Sequence, residues 1–166
     1  MSLDNVQSLI DLCRGKKIRI VTAESCTGGL IGGALTDLSG SSDIFWGGFL
    51  TYANEAKSAI LGVSEDTLET KGAVSEEVVR QMLDAALVKS GTELSIAVSG
   101  VAGPGGGTPE KPVGTVWIGV ALKGYAYDIR KYLFDGNRQF VREKTVLTAV
   151  KMAENIILND SCLDSK

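Results

Sequence analysis

Ser25 stands where a strand gives way to a helix. Ile18-Arg19-Ile20-Val21-Thr22 carries β-branched residues and no turn former, which is the composition of a strand. The chain then breaks into Ala23-Glu24-Ser25-Cys26-Thr27-Gly28-Gly29, and Leu30-Ile31-Gly32-Gly33-Ala34-Leu35 resumes as a helix. A strand feeding a helix through such a turn leaves unpaired backbone N–H groups and the positive helix end aimed at one place. A serine hydroxyl at that place could attack a carbonyl while the N–H groups stabilise the oxyanion that forms. The same residues also describe an ordinary turn whose Ser or Thr caps the helix. Taken alone they favour that plainer reading.

Three further groups have types and spacings suited to chemistry. Tyr52 ends a second apolar run, and Lys57 falls in the first turn of the helix that follows. A cation there opposes the helix dipole. If buried it would lose its proton more easily and could serve as a neutral base, whereas the plainer expectation is a solvated surface lysine. Arg138 and Arg142, four residues apart, share one helix face and suit a phosphate or carboxylate, or simply solvent. The segment Gly100-Val101-Ala102-Gly103-Pro104-Gly105-Gly106-Gly107-Thr108-Pro109 follows a strand ending at Ser99. It lacks the Gly-Lys-Ser/Thr of a P-loop and the spacing of a dinucleotide turn, so it reads as a mobile loop or as a cradle of backbone N–H groups.

Composition narrows the chemistry. The 166 residues contain no histidine, so a Ser-His-Asp or Cys-His arrangement is excluded and a transition-metal site loses its commonest ligand. Cys13, Cys26 and Cys162 form neither a close pair nor a zinc-like spacing. An odd, scattered set of thiols suits a reducing compartment, and with no signal segment or membrane span the expectation is a cytoplasmic protein. A net charge of −3, with both signs mixed along the chain, gives no footprint for nucleic acid or an anionic membrane.

The elements that must position these residues can be read in order. Apolar residues at Leu3, Val6, Leu9, Ile10 and Cys13 predict a helix ended by Gly15. The helix after Gly29 should stop near Leu38, and Phe45 to Tyr52 should be a strand whose glycines mark a bulge or a close backbone approach. Asn54 reads as the N-cap of a helix through Lys57 and Leu61, and Glu65 to Leu68 as a short turn of structure. Ser75 caps an amphipathic helix carrying Val78, Val79, Met82 and Val88. Strands follow at Leu94–Ser99, Val113–Leu122 and Tyr125–Phe134, then a helix from Arg138 to Leu158 with Phe140, Val141, Val146, Leu147, Val150 and Ile157 as its buried positions. This alternation predicts an α/β layered domain with a mixed sheet, parallel at first with an antiparallel hairpin later. One domain over residues 1–160 and a frayed tail over 161–166 are expected. Ligands of such sheets bind outside the carboxyl ends of the parallel strands, where the turns after Thr22, Tyr52 and Ser99 should meet.

Taken together, Glu24-Ser25-Cys26-Thr27-Gly28-Gly29, Tyr52 with Lys57, Ser99-Gly100-Val101-Ala102-Gly103-Pro104-Gly105-Gly106, Lys111-Pro112-Val113-Gly114-Thr115-Val116 and Gly136-Asn137-Arg138 with Val141-Arg142 resemble the CinA C-terminal domain family. The resemblance runs in order over nearly the whole chain. It implies a three-layer α/β/α fold with a mixed, mainly parallel sheet, in a stand-alone form lacking the N-terminal domain of longer members. It also implies a nicotinamide-nucleotide amidase, which converts nicotinamide mononucleotide to nicotinate mononucleotide and ammonia in pyridine nucleotide recycling. Carried over by position, Ser25 is the nucleophile, Tyr52 and Lys57 its activating pair, and Arg138 a further active-site residue, with Arg142 as the alternative. Cys26, Thr27, Gly28, Gly29, Ser99, Gly100, Ala102, Gly103 and Arg142 would bind substrate. Such a Ser–Lys system needs neither metal nor cofactor. The implied partner is a small pyridine nucleotide, not nucleic acid or membrane, and a homo-oligomer is left open. The rival expectation is a non-catalytic module that binds a nucleotide or a protein partner in competence or the DNA damage response. Ser25, Tyr52 and Lys57, all present, speak for the enzyme.

Overall fold

The structure is a computed structural model that describes residues 4–124 and 126–159. Leu3, Tyr125, Cys162 and the tail expected at 161–166 lie outside the described residues. The first helix, α1 (Asp4–Lys16), buries Val6, Leu9, Ile10 and Cys13 on the predicted face. Gly15 does not end it; the helix runs one residue further and the chain turns at Lys17, whose φ is 56°. Packing of the apolar face there outweighs the modest helical cost of a glycine.

Five strands form one sheet: β1 (Ile20–Glu24), β2 (Phe45–Leu50), β3 (Leu94–Gly100), β4 (Thr115–Leu122) and β5 (Ala126–Leu133), in the order β2-β1-β3-β4-β5. β1 runs parallel to both β2 and β3, while β4 is antiparallel to β3 and to β5. Every strand but β4 therefore points the same way, as a mixed, mainly parallel sheet requires. Between β1 and β2 the register skips Trp46, so the chain bulges there. A Cβ on Gly48 would sit 2.4 Å from Thr22 Oγ1, so both roles expected of the β2 glycines are present.

The period of two along the strands divides the core. Ile20, Ile96, Val98, Ile118 and Val120 face a layer of α1, α2 (Leu30–Thr36) and α6 (Arg138–Leu158). Val21, Ala23, Ala97 and Ala121 face the other layer, built around α5 (Glu76–Ser90) with α3 (Asn54–Leu61) and α4 (Glu65–Lys71) beside it. This is the α/β/α sandwich. Helix starts follow local chemistry: Ser64, Ser75 and Asn137 each accept a backbone N–H from the first turn of α4, α5 and α6. Asn54 is not a cap; it is the first residue of α3, and Ala53 precedes it without a side-chain bond. The turn expected at Glu65–Leu68 is the first part of α4. Val88, counted among the apolar residues of α5, and Phe140, read as buried, are 83% and 44% exposed, because at 100° per residue each falls on the side of its helix opposite the buried face. No helix among the described residues is long and apolar enough to cross a membrane.

Candidate active site

At the carboxyl ends of β1, β2 and β3 the chain segments are tied together. Ser25 N–H donates to the Val98 carbonyl at 3.2 Å, and Thr51 N–H donates to the Glu24 carbonyl at 2.8 Å. The first residue past β1 is therefore held between the ends of its two neighbours, at the crevice expected for a parallel sheet.

Glu24 shapes the turn that follows. It is 2% exposed, and its carboxylate accepts the Thr27 hydroxyl (2.6 Å) and the N–H groups of Ile31 (3.0 Å) and Gly32 (2.9 Å). The positive end of α2 is thus filled by the protein's own carboxylate and does not face a ligand. Gly29, the N-cap position, has no side chain to do this work and adopts a φ of 93°. On the opposite side Arg142 Nη2 donates to the Thr27 carbonyl at 2.7 Å. Thr27 is gripped by its hydroxyl and by its carbonyl. The Gly28 N–H closes the turn onto the Ser25 carbonyl, while the Cys26 and Thr27 amides donate to no main-chain carbonyl among the described residues.

Lys57 reaches the same spot from α3. Its ammonium nitrogen lies 3.0 Å from Ser25 Oγ, 2.9 Å from the Thr51 carbonyl and 3.3 Å from the Tyr52 carbonyl. Only 1% of the residue is exposed. Burial disfavours the charged form and pulls its pKa below the ordinary lysine value; Cys26 and Glu55 oppose the shift more weakly. A neutral amine has two N–H donors and one lone pair. With the two carbonyls taking the donors, the lone pair faces the Ser25 hydroxyl, which then donates to nitrogen. In its neutral form Lys57 could thus accept the Ser25 proton; as an ammonium it donates to all three oxygens.

Tyr52 contributes through two separate atoms. Its carbonyl holds Lys57, whereas its hydroxyl accepts from Arg138 Nη2 at 2.7 Å, and Arg138 Nη1 donates to the Gly103 carbonyl at 2.9 Å. Lys57 meets Ser25 directly. Ser25, Cys26, Tyr52, Asn54, Lys57, Ala73, Val74, Ser99, Gly100, Ala102 and Arg138 line a pocket of about 200 Å³. Arg138 is thereby the arginine that lines the pocket with Ser25. Arg142 lines only a neighbouring cavity of about 540 Å³, which it shares with Arg138, Leu30, Gln139, Glu143 and Val146. Gly29 lines a third cavity, next to Phe45 and Leu50, and the buried Thr27 side chain is turned to Glu24. Thr27, Gly28, Gly29 and Arg142 therefore build the turn and are absent from the pocket lining. Cys26 lines the pocket, but burial pushes its thiol up to about 11, so it carries little thiolate near neutral pH.

The glycine-rich loop contributes less than a cradle would. Ser99, Gly100 and Ala102 line the pocket, yet the Ser99 hydroxyl is spent on the Ala73 carbonyl at 2.7 Å and the Val101 N–H on the Thr115 carbonyl at 2.8 Å. A Cβ on Gly103 would lie 2.5 Å from Val113 Cγ1. These glycines serve close packing against the start of β4. Glu24 and Asn54 were not singled out from the sequence as site residues. A carboxylate ending an otherwise apolar strand was the available sign for Glu24, and Asn54 was masked by its cap-like context.

A three-layer α/β/α domain with a buried Ser–Lys pair at the ends of its parallel strands defines the class. The model of the CinA C-terminal domain matches residues 4–157, and the chain belongs to that family. It is 50% identical over 135 residues to a CinA-like protein of Leptospira biflexa, covering 81% of this chain and 32% of that protein. It is also 50% identical over 134 residues to a protein of Enterobacter agglomerans named nicotinamide-nucleotide amidohydrolase PncC, covering 81% and 82% of the two chains. The crystal structure of competence/damage inducible protein CihA from Agrobacterium tumefaciens superposes with a TM-score of 0.90 at 42% identity over 95% of both chains. The chain spans about a third of the length of the CinA-like proteins it matches.

Proposed function

We propose that this protein hydrolyses the carboxamide of nicotinamide mononucleotide to nicotinate mononucleotide and ammonia. The observation that carries this reading is the buried contact of 3.0 Å between Lys57 Nζ and Ser25 Oγ. The 50% identical relative named nicotinamide-nucleotide amidohydrolase supports the choice of substrate. Neutral Lys57 takes the hydroxyl proton as Ser25 Oγ attacks the carboxamide carbon. The oxyanion turns to the amides of Cys26 and Thr27, which donate to no main-chain carbonyl among the described residues. Lys57 returns the proton to the leaving nitrogen, ammonia departs, and an ester on Ser25 remains. Water, deprotonated by Lys57, attacks that ester; the acid leaves and Ser25 regains its proton. Arg138, braced by Tyr52 and Gly103, sets positive charge on the pocket wall for an anionic nucleotide. The reaction would serve pyridine nucleotide recycling in the cytoplasm, without metal or cofactor.

Ammonia release from nicotinamide mononucleotide tests the reading, with Ser25→Ala and a chelator-treated sample alongside. The expected result is release that resists the chelator and falls by at least about 10³-fold in the variant. Binding of the nucleotide without release would instead support a non-catalytic module.

A further inference from the structure

Asn54 opens α3 and lines the pocket with Ser25 and Lys57. It precedes Lys57 by three residues, so the two side chains share a helix face, one turn apart. The other polar side chains of the pocket are engaged. Lys57 holds Ser25 and two carbonyls, Ser99 donates to Ala73, and Arg138 holds the Tyr52 hydroxyl. The Asn54 carboxamide has no hydrogen-bond partner among the described residues. Being exposed, it is served by water until a ligand replaces that water.

The reaction fixes where a substrate amide puts its atoms. Its carbon meets Ser25 Oγ, its oxygen turns to the Cys26 and Thr27 amides, and its nitrogen faces Lys57, which must protonate it. That nitrogen carries N–H groups that need an acceptor on the α3 side of the pocket. The Thr51 and Tyr52 carbonyls are already taken by Lys57. We propose that Asn54 determines specificity, its Oδ1 accepting from the carboxamide N–H and so separating an aromatic carboxamide from the corresponding carboxylate. This rests on the amidase reading above. A carboxylate has no N–H to offer, and its oxygen would meet the lone pairs of Oδ1. The acid product is then held less tightly than the amide substrate, which favours its release.

The test uses the full chain with Ser25→Ala, so that substrate binds without turning over. Affinities for nicotinamide mononucleotide and nicotinate mononucleotide are compared by calorimetry, with and without Asn54→Ala. The expected result is a preference for the amide that falls about tenfold in the double variant, through weaker amide binding, the scale of one hydrogen bond. Asn54→Asp, which keeps the acceptor and adds negative charge, should widen the preference. An unchanged preference in the Asn54→Ala background, or equal loss for both ligands, overturns the proposal. Wild-type ammonia release is scored separately: no release, with the Asn54-dependent preference intact, sinks the amidase reading alone.

Discussion

The turn after β1 and the loop after β3 leave adjacent strands at the same edge of the sheet, and both are rich in glycine, yet they are held in opposite ways. The first is fixed by charged side chains, Glu24 on the Thr27 hydroxyl and the start of α2, Arg142 on the Thr27 carbonyl. The second is fixed by contact, its glycines packed against Val113, Thr115 and Val116. Side chains that satisfy a turn from outside leave its own amides to be used by something else. A loop that packs and bonds to its own neighbours has fewer to give. Glycine content therefore does not distinguish the segment that holds Ser25; the buried carboxylate beside it does.

The sharpest way to test that contrast is to disable Lys57, the proposed base that contacts Ser25 in the first turn. Lys57→Met, which keeps the length of the side chain, should lower turnover by about 10⁴-fold while the protein stays folded. In the wild type kcat/KM should rise with pH through a single ionisation, at a midpoint below the ordinary lysine value of 10.5. Stability carries a matching sign. The folded pKa of Lys57 lies below the unfolded one, so its contribution is full above 10.5 and is lost as pH falls toward the folded value. The buried thiols act oppositely, since burial pushes Cys13 up to about 12 and Cys26 up to about 11 from 9.0; their contribution is lost as pH rises. Both thiols remain in Lys57→Met, so the difference between the two denaturation-against-pH curves reports the lysine together with its coupling to Cys26. A pH-rate profile unchanged in shape by the substitution would remove Lys57 from the role of base.

Loosening the outside grip on the turn should cost less. Glu24→Gln replaces one carboxylate oxygen by an NH₂ group facing donors, which leaves a buried N–H without an acceptor. The expected loss is about 1–3 kcal/mol of stability. Turnover should fall by about 30-fold with KM little changed, the size of misplacing a reacting group slightly. Urea denaturation and steady-state kinetics on the same preparation separate the two effects. A stability loss with kcat intact would mean that Glu24 holds α2 and nothing more.

How far the sequence could reveal these two segments follows from the range of the interactions. Elements with a strong period, such as α1, α5 and β3, are local patterns and stand close to where the spacing put them. Tertiary packing decided the rest: it carried α1 through Gly15, and left Val88 and Phe140 outside the core. In the site, Ser25 and Lys57 were legible as types at suggestive positions, and the family resemblance turned suggestion into expectation. The part that stayed hidden is long-range. Arg142 reaches Thr27 across 115 positions, and Arg138 reaches Tyr52 across 86. Nothing in the spacing of two arginines on one helix says which will line the pocket with Ser25. The division of labour, Arg138 in the pocket and Arg142 behind the turn, emerges only when α6 is laid across the ends of the strands.

The smallest effect on activity should come from the packed loop, and it is the one that most directly separates the two regions. A Cβ on Gly107 would sit 2.7 Å from the Val113 backbone nitrogen, which cannot move aside as the end of a flexible side chain can. Gly107→Ala should therefore destabilise the protein by about 1–3 kcal/mol, the usual cost of overpacking. Gly107 does not line the pocket, so kcat and KM per folded molecule should stay within about twofold of the wild type, a surface-scale perturbation. Thermal melting together with kinetics on the folded fraction measures both. If turnover instead fell as far as it does in Glu24→Gln, the loop after β3 would be serving the reaction with its backbone after all, and the contrast between a turn that acts and a loop that packs would not hold.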